Sequence, residues 1–318
     1  MKTKKPNVTS CPQTTTALFS KTSKLLLGSL GVAAALPLAS TSALADETNA
    51  VADTPPPPQS RVNWLVNVEF SDKYLTPRGM VVQNEGLVIQ PLILGFANVY
   101  KGDNFLNSVT LVGGVWNCFG TETLPSSSGS KTDWYEIDPI AGVSVGFAKN
   151  FTLDVTYTAF QMQIFNIPFS QHLETKLSFN DSSYLKAFAV HPYISYWQEL
   201  NGKAVANTDK SPSESYYFDI GIAPSFTIPK VNVKLEAPCR MLLAGEDFYG
   251  TGAGGGSTVG LYELGMKATV PLSFMPQGYG HWSFHAGFKY MDFLDKNLIA
   301  TQGQSDVWQA YGGISIFF

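Results

Sequence analysis

SDVWQAYGGISIFF, residues 305–318, is the stretch from which the rest of the chain is read. Trp308, Ala310, Gly312, Ile314, Ile316 and Phe318 are apolar, and Gln309, Tyr311, Gly313 and Ser315 alternate with them. A period of two belongs to an extended strand, because successive side chains leave a pleat on opposite faces. One face of this strand expects an apolar environment and the other a more polar one.

The same alternation starts at Arg61 and recurs along the chain. Val62, Trp64, Val66, Val68 and Phe70 share one phase, against Arg61, Asn63, Asn67 and Glu69. Further stretches follow around Leu87–Val99, Ser108–Cys118, Tyr135–Phe147, Phe151–Tyr157, Leu173–Phe179 and Phe188–Trp197. Tyr217–Ile228, Val231–Met241, Tyr262–Val270 and Trp282–Tyr290 complete the series with the terminal strand. In the Ser108–Cys118 stretch the phase is ambiguous. The reading is therefore all-β: about 12 strands of roughly ten residues, the length a tilted membrane-crossing strand needs.

Composition points the same way. Aromatics make up 13% and charged residues only 14% of the chain, with 28 glycines; charge is scarce for a soluble domain. Lys2, Lys4, Lys5, Lys21 and Lys24 precede or flank an apolar run from Leu25 to Leu38, then Ala43-Leu44-Ala45. That is a secretory leader pattern, and cleavage after Ala45 is expected. Removing its 5 lysines from 21 basic residues leaves 16 against 25 acids, a formal charge of −9. Such acidity argues against nucleic acid as a partner. Residues 46–60 read as a proline-rich linker ending in Pro55 to Pro58, where polyproline II replaces strand. The barrel is expected over residues 61–318. Cys118 and Cys239 fall on strands that are not neighbours, so no disulfide framework is expected.

No stretch after the leader is apolar for 18 residues, so a membrane is crossed by a closed sheet or not at all. Three features favour an up-and-down antiparallel transmembrane barrel over a soluble sandwich. The apolar phases carry almost no charge, with Lys186 the exception, as a bilayer midplane requires. Aromatics gather at the ends of these phases, among them Tyr135 and Phe147, Phe188 and Tyr196, and Trp282 and Tyr290. Long connections alternate with tight ones such as Lys149-Asn150, Asn180–Ser183 and Pro229-Lys230. Pro91, Pro139, Pro192 and Pro224 lie on apolar phases, and bulges or breaks are expected there.

The terminal aromatic strand resembles that of bacterial outer-membrane barrels, where it signals to the assembly machinery. By that resemblance Trp308, Tyr311, Ile314, Ile316 and Phe318 are the assembly signal. Residues Ser71-Asp72-Lys73-Tyr74-Leu75-Thr76-Pro77-Arg78-Gly79, with Gln90-Pro91 and Gly114-Val115-Trp116-Asn117, resemble the TorF-like family of outer-membrane porins. This implies a barrel with a pore in the outer membrane of a Gram-negative cell. It implies no particular solute and no functional residue.

The inward phase carries Arg61, Lys176, Lys234, Arg240, Lys267 and Lys289 against Glu69, Glu136, Asp138, Asp154, Glu174, Asp219, Glu236 and Glu263. Charges this close to balance stabilise a narrow lumen by pairing, or orient a small polar or charged solute. Selectivity is expected to depend on the cations of the Val231–Met241, Tyr262–Val270 and Trp282–Tyr290 strands facing Glu136, Asp138, Asp154 and Asp219. The expected role is passive diffusion through a narrow channel, with outer-membrane lipid, lipopolysaccharide, the assembly machinery and a small solute as partners. An occluded barrel that binds a partner through its loops is the alternative.

An outer-membrane hydrolase is a third reading. His172, His191, His281 and His285 fall on the inward phase or in turns, away from the lipid-facing site a phospholipase needs. Asp72, His172, Asp219, Asp292 and Asp295 show no spacing that marks a protease. No metal or cofactor is expected: paired His or Cys at ligand spacing are missing, and Gly254-Gly255-Gly256 is followed by no phosphate-loop Lys.

Overall fold

The computed structural model describes residues 61–125, 131–164, 169–186, 189–203, 214–250 and 259–318. The expected leader, the linker, Phe188 and the 254–256 glycines lie outside them. The strands are β1 Val62–Ser71, β2 Tyr74–Leu75, β3 Val81–Gln83, β4 Val88–Lys101, β5 Leu106–Pro125, β6 Lys131–Phe147, β7 Phe151–Met162 and β8 Ser170–Phe179. There follow β9 Tyr193–Asn201, β10 Tyr216–Ile222, β11 Ser225–Ile228, β12 Val233–Glu236, β13 Cys239–Ala244, β14 Val259–Pro271, β15 His281–Phe293 and β16 Asp306–Phe317. Two short helices, α1 (Ser182–Leu185) and α2 (Lys296–Gln302), lie in connections.

Each wall strand pairs antiparallel with its sequence neighbours, and β1 pairs with β16, so the sheet closes as a 12-strand barrel. Closure is completed by Trp64 N–H to the Phe318 carbonyl (2.6 Å) and Phe318 N–H to the Trp64 carbonyl (3.0 Å). A closed sheet leaves no ladder edge to satisfy. The fragments β10 and β11 occupy one wall position, as do β12 and β13. Around the wall the order is β1, β4, β5, β6, β7, β8, β9, β10/β11, β12/β13, β14, β15, β16. We call the end carrying the long connections the loop end and the other the turn end.

Alternation places the outward face as read from sequence. Trp64, Phe70, Ile93, Ile220, Leu264, Met266, Phe284 and Trp308 are exposed, an apolar belt that suits hydrocarbon. The ambiguous strand β5 turns Leu111 out and buries Val112.

Several local expectations are corrected. Tyr135 points inward and is fully buried, because the register between β5 and β6 shifts: Cys118 pairs with Glu136 while Phe119 pairs with Trp134. This bulge leaves Tyr135 as the extra residue and gives its outward place to Trp134, which stacks on Phe119. Strand β9 begins only at Tyr193, so the connection from Asn180 is no tight turn. Its cause is local: Asp181 accepts the N–H groups of Val190 (2.9 Å) and His191 (3.0 Å), and Lys186 and His191 have φ of 51° and 47°. Lys186 thus sits in a turn, not on a spanning strand. Burial raises the Asp181 carboxyl, but the two N–H donors outweigh it and hold the group below its ordinary value.

The prolines act unevenly. Pro224 separates β10 from β11 and Pro192 precedes β9, as a missing N–H donor dictates. Pro91 and Pro139 sit within continuous β4 and β6, and the register is the same on either side of each. Pro238, which the sequence reading passed over, divides β12 from β13.

Candidate functional site

The connection after β1 folds into the barrel instead of away from it. Thr76-Pro77-Arg78-Gly79 forms a turn in which the Gly79 N–H reaches the Thr76 carbonyl (3.0 Å). Pro77 presets φ for the second turn position, and Gly79 takes a φ of 85° that a side chain would resist. The Thr76 hydroxyl accepts the Met80 N–H (3.0 Å), and β2 pairs with β3 to make a miniature hairpin. Tyr74, Thr76, Arg78 and Met80 are fully buried.

This hairpin is fastened around the barrel's inner circumference. Tyr74 donates its hydroxyl to Glu136 on β6 and packs on Trp116 of β5, with ring centroids 5.9 Å apart. Arg240 on β13 donates to the Pro77 carbonyl, and Tyr249 donates to the Arg78 carbonyl (3.0 Å). The Val81 N–H reaches Gln302 of α2 (2.8 Å), and Gln309 of β16 donates to the Lys73 carbonyl (2.6 Å). Helix α2 is itself held by Asp295, whose side chain accepts from Asn297 and Leu298 at its N-cap. Segment 72–83 therefore crosses the loop end of the lumen as a plug.

Arg78 forms the centre of the plug. Its guanidinium carbon lies 5.0 Å from the Phe160 ring and 4.7 Å from the Trp197 ring. His172 packs on both, tilted against Phe160 with centroids 4.2 Å apart and stacked on Trp197 at 4.8 Å. Among the described residues, no hydrogen-bond acceptor meets Nε or either Nη of Arg78. Ring faces compensate a buried cation only in part, because unpaired donors still forfeit their water.

Beneath the plug lies a chamber of about 470 Å³ running toward the turn end. Its walls differ. One side presents Leu92, Leu94 and Phe96 of β4, Trp116 of β5 and Ile140 of β6, all buried. Six wall positions away, and hence diametrically opposite, β10, β12/β13 and β14 present charges. Arg240 bridges Asp219 (3.0 Å) and Glu263 (2.7 Å), and Glu236 bridges Lys234 and Lys267 (both 3.3 Å). Glu69 lies 3.6 Å from His285, and Glu174 accepts from Ser195 (2.6 Å). Lys176 and Lys289 also line the chamber, their ammonium groups over Tyr193 (4.3 Å) and Tyr311 (5.9 Å).

The chamber thus gathers Glu69, Lys176, Asp219, Lys234, Glu236, Arg240, Glu263, Lys267 and Lys289. Glu136 and Asp138 are fully buried in the β6 wall, Glu136 under the plug, and Asp154 faces inward on β7 opposite Lys176. Arg61 is exposed at the start of β1. Of the four acids expected to face these cations, Asp219 does so through Arg240, whereas Lys234 and Lys267 take Glu236 on their own or the adjacent strand, and none of Glu136, Asp138 and Asp154 lies within 4.0 Å of any of the three. Cross-strand neighbours are simply closer than the far wall. Of the terminal-strand residues, Trp308, Ile314 and Phe318 are exposed, Ile316 is half-buried, and Tyr311 faces the chamber.

Sequence reasoning missed the plug and the apolar inner wall. Signals for both were present: Leu92-Ile93-Leu94 is apolar in both phases, and Tyr74, Met80, Val81 and Val82 are out of place in a watery loop.

No protein-family model matches the chain, and no curated protein matches it by sequence. Solved structures do resemble it. An outer-membrane channel from Pseudomonas putida F1 is 11% identical with a TM-score of 0.48, over 84% of this chain and 99% of that one. The NanC porin is 8% identical with a TM-score of 0.43, over 79% and 98%. The translocator domain of the autotransporter NalP from Neisseria meningitidis is 14% identical with a TM-score of 0.40, over 87% and 96%.

Proposed function

We propose that the chain is an outer-membrane channel for passive diffusion of small polar or charged solutes, with segment 72–83 as the gate across its mouth. The observation that supports this most is the chamber: about 470 Å³ inside a closed sheet, with ion pairs along one wall and an apolar belt outside. A barrel built only for rigidity fills its interior with side chains. In this reading the leader is cleaved near Ala45, the terminal strand is read by the assembly machinery, the turn end faces the periplasm and the loop end faces outward. Kinship with TorF-like porins belongs to the same proposal.

The test is conductance of the refolded chain in planar bilayers, beside a variant in which residues 74–83 are replaced by a Gly-Ser linker. Rare, brief steps from the parent and larger, longer ones from the variant are expected. If both proteins show the heat-modifiable mobility of a folded barrel and both stay silent, the channel reading fails. A closed barrel that binds a partner through its long connections then takes its place.

A further inference from the structure

We propose that the chamber takes amphipathic carboxylates, solutes with an apolar body and an anionic head, an assignment of substrate class that rests on the channel reading. The apolar body belongs on β4, β5 and β6, where Leu92, Leu94, Phe96, Trp116 and Ile140 form a continuous side of the chamber. A sugar or other polyol laid on that side leaves hydroxyls without partners. A wholly apolar solute fails against the opposite wall, where it displaces water from ion pairs. A volume of about 470 Å³ is that of a small-molecule site.

The sign of the head follows from which lumen charges are already answered. Asp219 and Glu263 share Arg240, Glu236 holds two lysines, Glu69 faces His285, and Glu174 accepts from Ser195. Lys176 and Lys289 are different. Among the described residues neither makes an ion pair within 4.0 Å; the acids in their wider electrostatic reach are Asp154, across the strand pair, with Glu174 and Asp219 for Lys176, and Glu263 for Lys289. Both ammonium groups rest over ring faces that leave N–H donors for a ligand. Lys176 is 8% exposed and still lines the chamber, so a carboxylate there meets a cation already stripped of most of its water.

Calorimetric titration of the full chain in detergent, corrected against empty micelles, tests this with four probes. They are 4-phenylbutyrate, gluconate (same charge, polar body), 4-phenylbutylamine (opposite charge) and 4-phenylbutanol (no charge). The expected result is 4-phenylbutyrate binding at least tenfold tighter than gluconate or 4-phenylbutylamine. Lys176→Gln is expected to weaken 4-phenylbutyrate about tenfold and leave 4-phenylbutanol unchanged. Leu94→Asn, or Ile140→Asn should that variant not fold, is expected to weaken 4-phenylbutyrate and spare gluconate. Gluconate or the amine binding as tightly as 4-phenylbutyrate overturns the proposal, as does indifference to Lys176→Gln. Conductance of the same preparation separates the two readings. Current without probe preference removes the substrate class and keeps the channel, whereas probe preference without current removes the channel and keeps the site.

Discussion

Replacing Arg240 by Gln separates the energetics of the plug from those of the wall. The Arg240 side chain is 9% exposed, bridges Asp219 at 3.0 Å and Glu263 at 2.7 Å, and also donates to the Pro77 carbonyl. Removing the cation leaves two carboxylates facing each other in a largely dry wall, a loss of about 3–5 kcal/mol for a buried pair. That loss falls on the barrel whether or not the plug is seated. Of Arg240's own bonds, that to Pro77 is the one lost when the plug is released, and a hydrogen bond from a charged donor contributes about 1.5–3 kcal/mol. At about 1.4 kcal/mol per tenfold, the plug equilibrium shifts toward release by about 10- to 100-fold. Two measurements check this: open probability in planar bilayers rises by that factor, and the urea midpoint of the barrel falls. A variant that unfolds more easily yet opens no more often than the parent refutes Arg240 as the plug's fastening.

Thiol labelling reads the same plug from inside: Cys239 lines the chamber while Cys118 is fully buried beside Gln90, so a small hydrophilic methanethiosulfonate labels Cys239 first. Tyr74→Phe, which deletes the hydrogen bond to Glu136, accelerates Cys118 labelling about fivefold or more for a loss of about 1 kcal/mol; unchanged protection means the plug does not shield that thiol. The Asp181 carboxyl lies below its ordinary value of 3.8 in the folded chain. Its stabilising effect is complete above the unfolded pKa and is lost as pH falls through the folded one. The difference in urea midpoint between the parent and Asp181→Asn is therefore largest near neutral pH and shrinks below pH 3.8; a constant difference contradicts the assignment. Deleting Phe318 removes both closing hydrogen bonds to Trp64, and the fraction of heat-modifiable barrel recovered from membranes is expected to fall several-fold.

Strand count and phase were legible because an apolar outside leaves little freedom: every outward side chain must be apolar, so the alternation survives even where loops vary. Trp308 and Gln309, or Leu264 and Glu263, announce their faces by chemistry alone. The lumen imposes no such uniformity. Leu94 and Phe96 face inward with the same character as the outward Ile93, and only the unbroken run betrays a strand apolar on both sides. Tyr135 was misplaced because one extra residue in β6 reverses the phase toward the loop end, and a bulge leaves no compositional trace when both candidates, Trp134 and Tyr135, are aromatic. Among the charges, membership of the lumen followed from phase except at Arg61, and pairing followed only where Arg240 meets Asp219, since register and the strand breaks at Pro224 and Pro238 set which acids Arg240 and Lys267 reach.

The plug's fastenings also fix an order of events in time. Pro77 meets a residue 163 positions later, Val81 one 221 later, and Lys73 one 236 later. Contacts so remote in the chain form late, because the intervening segment must first be ordered. Segment 72–83 is synthesised just after the first strand, and Trp116, Glu136, Phe160 and Trp197 offer it earlier contacts, yet these three fastenings wait until β13, α2 and β16 are in place. The full set of fastenings is accordingly complete only as the last strand zips against the first.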